Sequence, residues 1–219
     1  MEYQLLDPRW IKFNKRKRNC CILCLPGRGC HGLELARIYK MMGLNALIIG
    51  ITPMSRCWYP MPNGISDQEA AIAGLEPARN AVEEVVQKIE ERYGITKNNI
   101  ALVGYSAGAV IGLLTACYSS SPFGCVVAHA GAVLDPDMIP ICQFPQSPIL
   151  LTHSMDDIVF EWNERYVPML ETLQINGYKV YTATEANAGH SISNRHLKIS
   201  RRFIQTVLKI HDCRPSQIR

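Results

Sequence analysis

One stretch of this chain leaves little freedom in how it folds: Ile100-Ala-Leu-Val-Gly104-Tyr-Ser106-Ala-Gly108-Ala-Val-Ile-Gly-Leu-Leu114. The run from Ile100 to Val103 is short and apolar and follows the polar Lys97-Asn98-Asn99, which predicts a buried strand. From Ala107 onward the apolar residues continue long enough to require a buried helix. The junction between them reads Gly-Tyr-Ser-Ala-Gly, and that pentapeptide fits the G-x-S-x-G elbow. A serine in such an elbow takes strained torsions, and the residues two positions away on either side must lack bulk for the turn to close. The turn lifts the Ser106 hydroxyl above the sheet, and the helix behind it aims free N–H groups at any oxyanion formed there. A glycine-rich helix entry that binds nothing would share these five residues. The flanking strand and helix are the context that favours the elbow.

The rest of the chain supports a single α/β domain. At 219 residues, with 47% hydrophobic and 19% charged residues, it is long enough to bury a sheet on both faces and has an ordinary globular composition. Strands are expected at 20–25, 46–51, 100–103, 125–130, 148–153 and 178–183. Helices are expected at 33–42, 67–93 (with a break between Gly74 and Pro77), 107–116, 161–175 and 193–210. This alternation implies a mostly parallel sheet with right-handed crossovers and helices on both faces. Residues 1–19 read as an N-terminal extension or edge segment, with a short edge strand over 10–13, and residues 20–219 as the domain itself.

Much of the basic excess behind the net charge of +4 sits in Lys12-Phe-Asn-Lys15-Arg16-Lys17-Arg18, which reads as a solvated stretch; no nucleic acid is expected as a partner. The N-terminus lacks the basic-then-apolar pattern of a signal peptide, and no run approaches the roughly 18 apolar residues of a membrane span. Nine cysteines, an odd number without a secretion signal, predict reduced thiols and a cytoplasmic location. Cys21 and Cys24 form a C-x-x-C, but residues three apart on a strand face opposite sides and no second pair follows, so buried thiols are expected, with no metal and no cofactor.

A serine hydroxyl is a poor nucleophile until a histidine takes its proton, and a carboxylate must fix that imidazole's tautomer. In open parallel sheets the partners should follow strand ends directly. Two segments fit: His153-Ser-Met-Asp156-Asp157 after one strand and Asn187-Ala-Gly189-His190 after the next. The resulting order, Ser106, Asp, His190, is the one elbow-bearing enzymes use. His31, His129, His153, His196 and His211 fit less well, through position or order. For the oxyanion, Gly27 and Gly29 let the backbone of Pro26-Gly27-Arg28-Gly29 approach closely, which makes the Arg28 N–H the candidate donor beside that of Ala107.

These motifs together resemble the phospholipase/carboxylesterase group of α/β-hydrolases, which includes acyl-protein thioesterases. The family's L-H-G-x-G loop is similar to Leu25-Pro26-Gly27-Arg28-Gly29, its G-x-S-x-G to Gly104–Gly108, its H-G-x-x-D to His153–Asp157 and its G-H to Gly189-His190. The resemblance covers the chain from about residue 20 onward and implies an α/β-hydrolase fold. It assigns Ser106 as nucleophile, Asp157 as acid and His190 as base, acting on a small-molecule ester or thioester through an acyl-enzyme. Trp58-Tyr59-Pro60 is similar to a segment that lines the site in such enzymes. The loop from Arg56 to Met61 is itself expected to wall an apolar acyl pocket, because large apolar side chains dominate such walls, which makes Trp58, Tyr59 and Met61 candidate substrate contacts. Pro26 stands in place of the family's His, Ser154 in place of Gly and Ala107 in place of the thioesterases' Gln. A homodimer is left open. A non-catalytic binding protein on the same fold and a dienelactone-hydrolase-like enzyme are the alternatives; the second would prefer a cysteine where Ser106 stands.

Overall fold

The computed structural model describes residues 4–5, 18–60, 65–142 and 147–210, with backbone alone for 4–5 and 65–68. The strands are β1 (Gln4–Leu5), β2 (Cys21–Leu25), β3 (Leu47–Thr52), β4 (Ile100–Tyr105), β5 (Cys125–His129), β6 (Ile149–Ser154) and β7 (Val180–Glu185). The helices are α1 (Gly32–Met41), α2 (Ile65–Tyr93), α3 (Ala107–Tyr118), α4 (Val167–Ile175) and α5 (Asn194–Leu208). The strands form one sheet in the order β1-β3-β2-β4-β5-β6-β7. The two-residue β1 runs antiparallel to β3 and every other pairing is parallel. The edge strand expected at 10–13 lies outside the described residues.

Strand residues are apolar on both faces because both faces are covered. Along β2, Cys21, Leu23 and Leu25 join a core with α2, α3 and α4, through Val82, Val85, Ile89, Val110, Leu113 and Met169. The intervening Ile22 and Cys24 join a second core with α1 and α5, through Leu35, Tyr39, Ile204 and Leu208. Cys21 and Cys24 therefore sit on opposite faces, both fully buried and unpaired, and burial raises both thiol pKa values above their ordinary range.

The chain runs from β2 through α1 to β3 on one side, then through α2 back past β2 to β4. This reversal makes the carboxyl ends of β2 and β4 the topological switch point, where ligand sites form in open α/β sheets.

Two expectations need correction. The break between Gly74 and Pro77 is absent: α2 runs unbroken for 29 residues. Pro77 and Ala73 both lie on the exposed face, so solvent can take the carbonyl that proline leaves unbonded, while Ala71, Leu75, Ala78 and Val82 hold the helix to the core. Gly74 serves a close approach instead, since a Cβ there would lie 3.0 Å from Pro60 Cδ and 3.1 Å from Tyr59 Cβ. The helix expected from 161 opens as a single π turn, Trp162–Tyr166, before α4 begins. Tyr166 there stacks on His153 at 4.4 Å and on Trp162 at 4.7 Å.

Gly108 in α3 presses against the end of β2, and a Cβ on it would stand 2.1 Å from the Leu25 carbonyl oxygen. Backbone cannot swing aside as a side chain can. Gly108→Ala is expected to destabilise the fold by ~3 kcal/mol, read as a lower urea midpoint at unchanged slope.

Candidate active site

Four loops converge at one edge of the sheet because β2, β4, β6 and β7 are parallel. Each delivers one of the expected groups. Ser106 follows β4 with φ 53° and ψ −122°, a positive-φ conformation outside the ordinary allowed regions that side chains disfavour. Its own N–H donates to the His129 carbonyl at 2.9 Å, which ties the elbow to the end of β5.

Asp157 sits in the turn after β6, 3% exposed. His153 Nε2 donates to the Phe160 carbonyl at 2.7 Å and closes that turn. Asp157 Oδ1 accepts the N–H groups of Val159 at 2.8 Å and Phe160 at 3.0 Å, leaving Oδ2 aimed outward. His190 Nδ1 meets Oδ2 at 2.9 Å, and His190 Nε2 meets Ser106 Oγ at 2.9 Å. A carboxylate only accepts, so the proton lies on Nδ1, and Nε2 presents its lone pair to the serine hydroxyl. Residues 84 and 33 positions apart in sequence thus form one continuous line.

The turn that carries His190 is held from three directions. Asp156 Oδ1 accepts the Gly189 N–H at 2.8 Å, and Ser154 Oγ accepts the Ala188 N–H at 2.8 Å while donating to Asp156. The Tyr105 hydroxyl donates to the His190 carbonyl at 2.8 Å, its ring 5.4 Å from the imidazole. The Ser154 and Gly189 bonds hold the Asp156 carboxyl below the usual carboxylate range. Asp156 thus caps the turn that carries His190. The anchoring by Ser154 and Tyr105 was not foreseen; the one available signal was Ser154 in place of the family's glycine.

The N–H groups of Arg28 and Ala107, the expected oxyanion donors, find no acceptor among the described residues. Trp58 and Tyr59 are 1% and 5% exposed and packed into the core around α2, so their rings offer almost no surface to a ligand in this conformation. Met61 lies outside the described residues.

The remaining histidines have structural surroundings. His31 caps α1 by accepting the Leu33 N–H through Nδ1 at 3.2 Å. His196 is buried on α5, and His211 lies outside the described residues. His129 is fully buried between the Tyr39 hydroxyl (2.6 Å from Nε2) and Thr152 Oγ1 (2.7 Å from Nδ1). Burial, with a smaller push from His196, drives its pKa down to about 3. Among the described residues no cluster of three or more His, Cys, Asp or Glu side chains could hold a metal ion, and no helix is long and apolar enough to cross a membrane.

A family model described as Phospholipase/Carboxylesterase matches residues 48–208, most of the chain and all three members of the Ser106–His190–Asp157 line. The chain belongs to the phospholipase/carboxylesterase family. The carboxylesterase SOBER1 of Arabidopsis thaliana is 29% identical over 166 residues, covering 70% of this chain and 69% of that protein. Among solved structures, the esterase PE8 is similar with a TM-score of 0.78 at 20% identity, over 87% of this chain and 93% of that one. Acyl-protein thioesterase 2 of Zea mays is similar with a TM-score of 0.74 at 16% identity, over 94% and 99%. These likenesses establish the α/β-hydrolase fold for this family member.

The His129 network has a consequence for stability. Its folded pKa lies below the unfolded value near 6.5, so the neutral imidazole stabilises the fold fully above about pH 6.5. That contribution is lost progressively as pH falls toward 3. Between pH 7 and 4 the loss should be on the order of 3 kcal/mol, and His129→Gln should flatten the fall of the thermal midpoint over that window.

Proposed function

We propose that this protein is a serine hydrolase that cleaves carboxylic esters or thioesters through an acyl-enzyme, with Ser106, His190 and Asp157 as its triad. The observation that carries the reading is the line from Asp157 Oδ2 through both His190 nitrogens to Ser106 Oγ, with both contacts at 2.9 Å, built on a strained elbow.

In this reading Oγ adds to the substrate carbonyl carbon as its proton passes to His190 Nε2, and the carbonyl π electrons move onto oxygen. The Arg28 and Ala107 N–H groups hold that oxyanion. As the C=O reforms, the bond to the leaving alcohol or thiol breaks and His190 returns the proton to it. Water then repeats the sequence on the acyl-Ser106 ester, releasing the acid and restoring the serine. Asp157 stays ionised throughout, holding the imidazole's tautomer and stabilising the imidazolium. The kinship with a carboxylesterase and the fold shared with a thioesterase agree with an acyl substrate. The cytoplasmic setting remains part of the proposal.

A fluorophosphonate probe should label wild-type protein and leave Ser106→Ala unlabelled. The same substitution should cut p-nitrophenyl ester turnover by ~10³-fold or more with its thermal midpoint preserved. A folded Ser106→Ala that kept most of its activity would remove the proposal.

The two adjacent carboxylates should separate cleanly. Asp157→Asn places an amide against Nδ1–H and should cost ~10⁴-fold in kcat at pH 7 to 8. Asp156→Asn keeps an oxygen for the Gly189 N–H and should have only a mild effect. The inverse ranking would hand the acid role to Asp156. Two mild defects would move it elsewhere, with Asp135 and Asp137 next to be tested.

A further inference from the structure

The oxyanion loop of this chain is clasped by a neighbouring loop. Over residues 26–29 and 56–59 three hydrogen bonds pass between the two segments. The Trp58 indole N–H donates to the Pro26 carbonyl at 2.8 Å, the Gly29 N–H to the Arg56 carbonyl at 2.8 Å, and Arg28 Nη2 to the Tyr59 carbonyl at 2.9 Å. The Arg28 N–H lies in the middle of the clasped stretch. The clasping loop holds two consecutive non-glycine residues in the left-handed region, Ser55 at φ 54° and Arg56 at φ 53°. Such a conformation persists only where its surroundings over-determine it. Here the buried Trp58 and Tyr59 anchor one end, and the Arg56 N–H closes on the Pro53 carbonyl at 2.9 Å at the other.

We infer that Trp58 and the Arg28 guanidinium are positioning residues for the oxyanion hole: by fixing the loop on either side, they set where the Arg28 N–H points. The inference rests on the serine-hydrolase reading above and assigns Trp58 a different task from lining an acyl pocket. It also accounts for Pro26. Where the family carries a histidine whose side chain can brace this loop, a proline has no polar side chain and no N–H, and only its carbonyl can be held. The indole N–H holds that carbonyl. Because a preorganised donor must be in place before charge develops, a loop free to drift would weaken the transition state and leave the bound ground state nearly unchanged.

The test compares wild type, Trp58→Phe and Arg28→Met as full chains. Trp58→Phe keeps the ring in the core and removes only the donor; Arg28→Met keeps the stem and removes the bond to Tyr59. Each should lower kcat about tenfold to hundredfold, by the same factor on an acetyl and an octanoyl p-nitrophenyl ester, with KM unchanged for both. Phenylboronic acid becomes tetrahedral on Ser106 Oγ and puts an oxygen where the oxyanion forms; its inhibition constant should weaken by that same factor. The pH profile of kcat should not shift, since the His190–Asp157 pair is untouched. Amide exchange at Arg28 and Gly29 should quicken in both variants.

A rise in KM confined to the octanoyl ester would overturn the inference in favour of a pocket wall. Unchanged exchange at Arg28 and Gly29 would overturn it whatever the activity. If wild type took no fluorophosphonate and cleaved no ester, the hydrolase reading would fall, and the exchange result would still decide the clasp. Should Trp58→Phe melt before assay temperature, Arg28→Met, whose side chain is only partly buried, carries the same readouts.

Discussion

The structure depends on one unfavourable backbone conformation, the positive-φ Ser106 between β4 and α3. Such a conformation costs on the order of 1–3 kcal/mol, and it survives because its surroundings allow no alternative. The Ser106 N–H is held by the His129 carbonyl on the neighbouring strand, and the Ser106 carbonyl accepts the N–H groups of Ala109 and Val110 as α3 begins. Gly108 lets that helix close onto the end of β2. A sharper or looser turn would break β4–β5 pairing or lift α3 from the core. The hydroxyl meets His190 because the backbone beneath it is fixed.

Environment gives the histidines different tasks. His190 has a side chain 20% exposed and sits between the Asp157 carboxylate and the Ser106 hydroxyl, 2.9 Å from each. His129 is sealed beneath the same elbow and kept neutral, so it serves as a polar strut between Tyr39 and Thr152. His153 is buried too; desolvation lowers its pKa, opposed by its bond to Phe160 and the nearby Asp157, and its contribution is to close the turn that presents Asp157.

At two positions where the chain departs from the family pattern, a contact from elsewhere in the fold meets the change. Pro26 is held through its carbonyl by the Trp58 indole, and Ser154 accepts the Ala188 N–H of the histidine turn. Both contacts place backbone, one in the loop after β2 and the other in the turn that carries His190.

Much of this was legible in one dimension. The apolar runs of β2, β4, β5 and β6 and the stripe of α2 are local patterns set by burial, and the elbow is spelled out in five consecutive residues. The order of Ser106, Asp157 and His190 followed from the rule that sites lie past the ends of parallel strands. What the sequence by itself determined was therefore the fold class, the residues with the chemistry for a site and their order along the chain. Tertiary structure alone decided which groups stand at hydrogen-bond distance from one another. Asp157 rather than Asp156 faces His190 because the Phe160-closed turn aims Oδ2 outward; α2 continues through Pro77 because its core face holds it. Trp58 turns inward because its indole finds the Pro26 carbonyl 32 residues away. Periodicity records whether a side chain is buried, but a hydrogen bond depends on a distance and a direction between two atoms, and for residues far apart in sequence only the folded chain sets these.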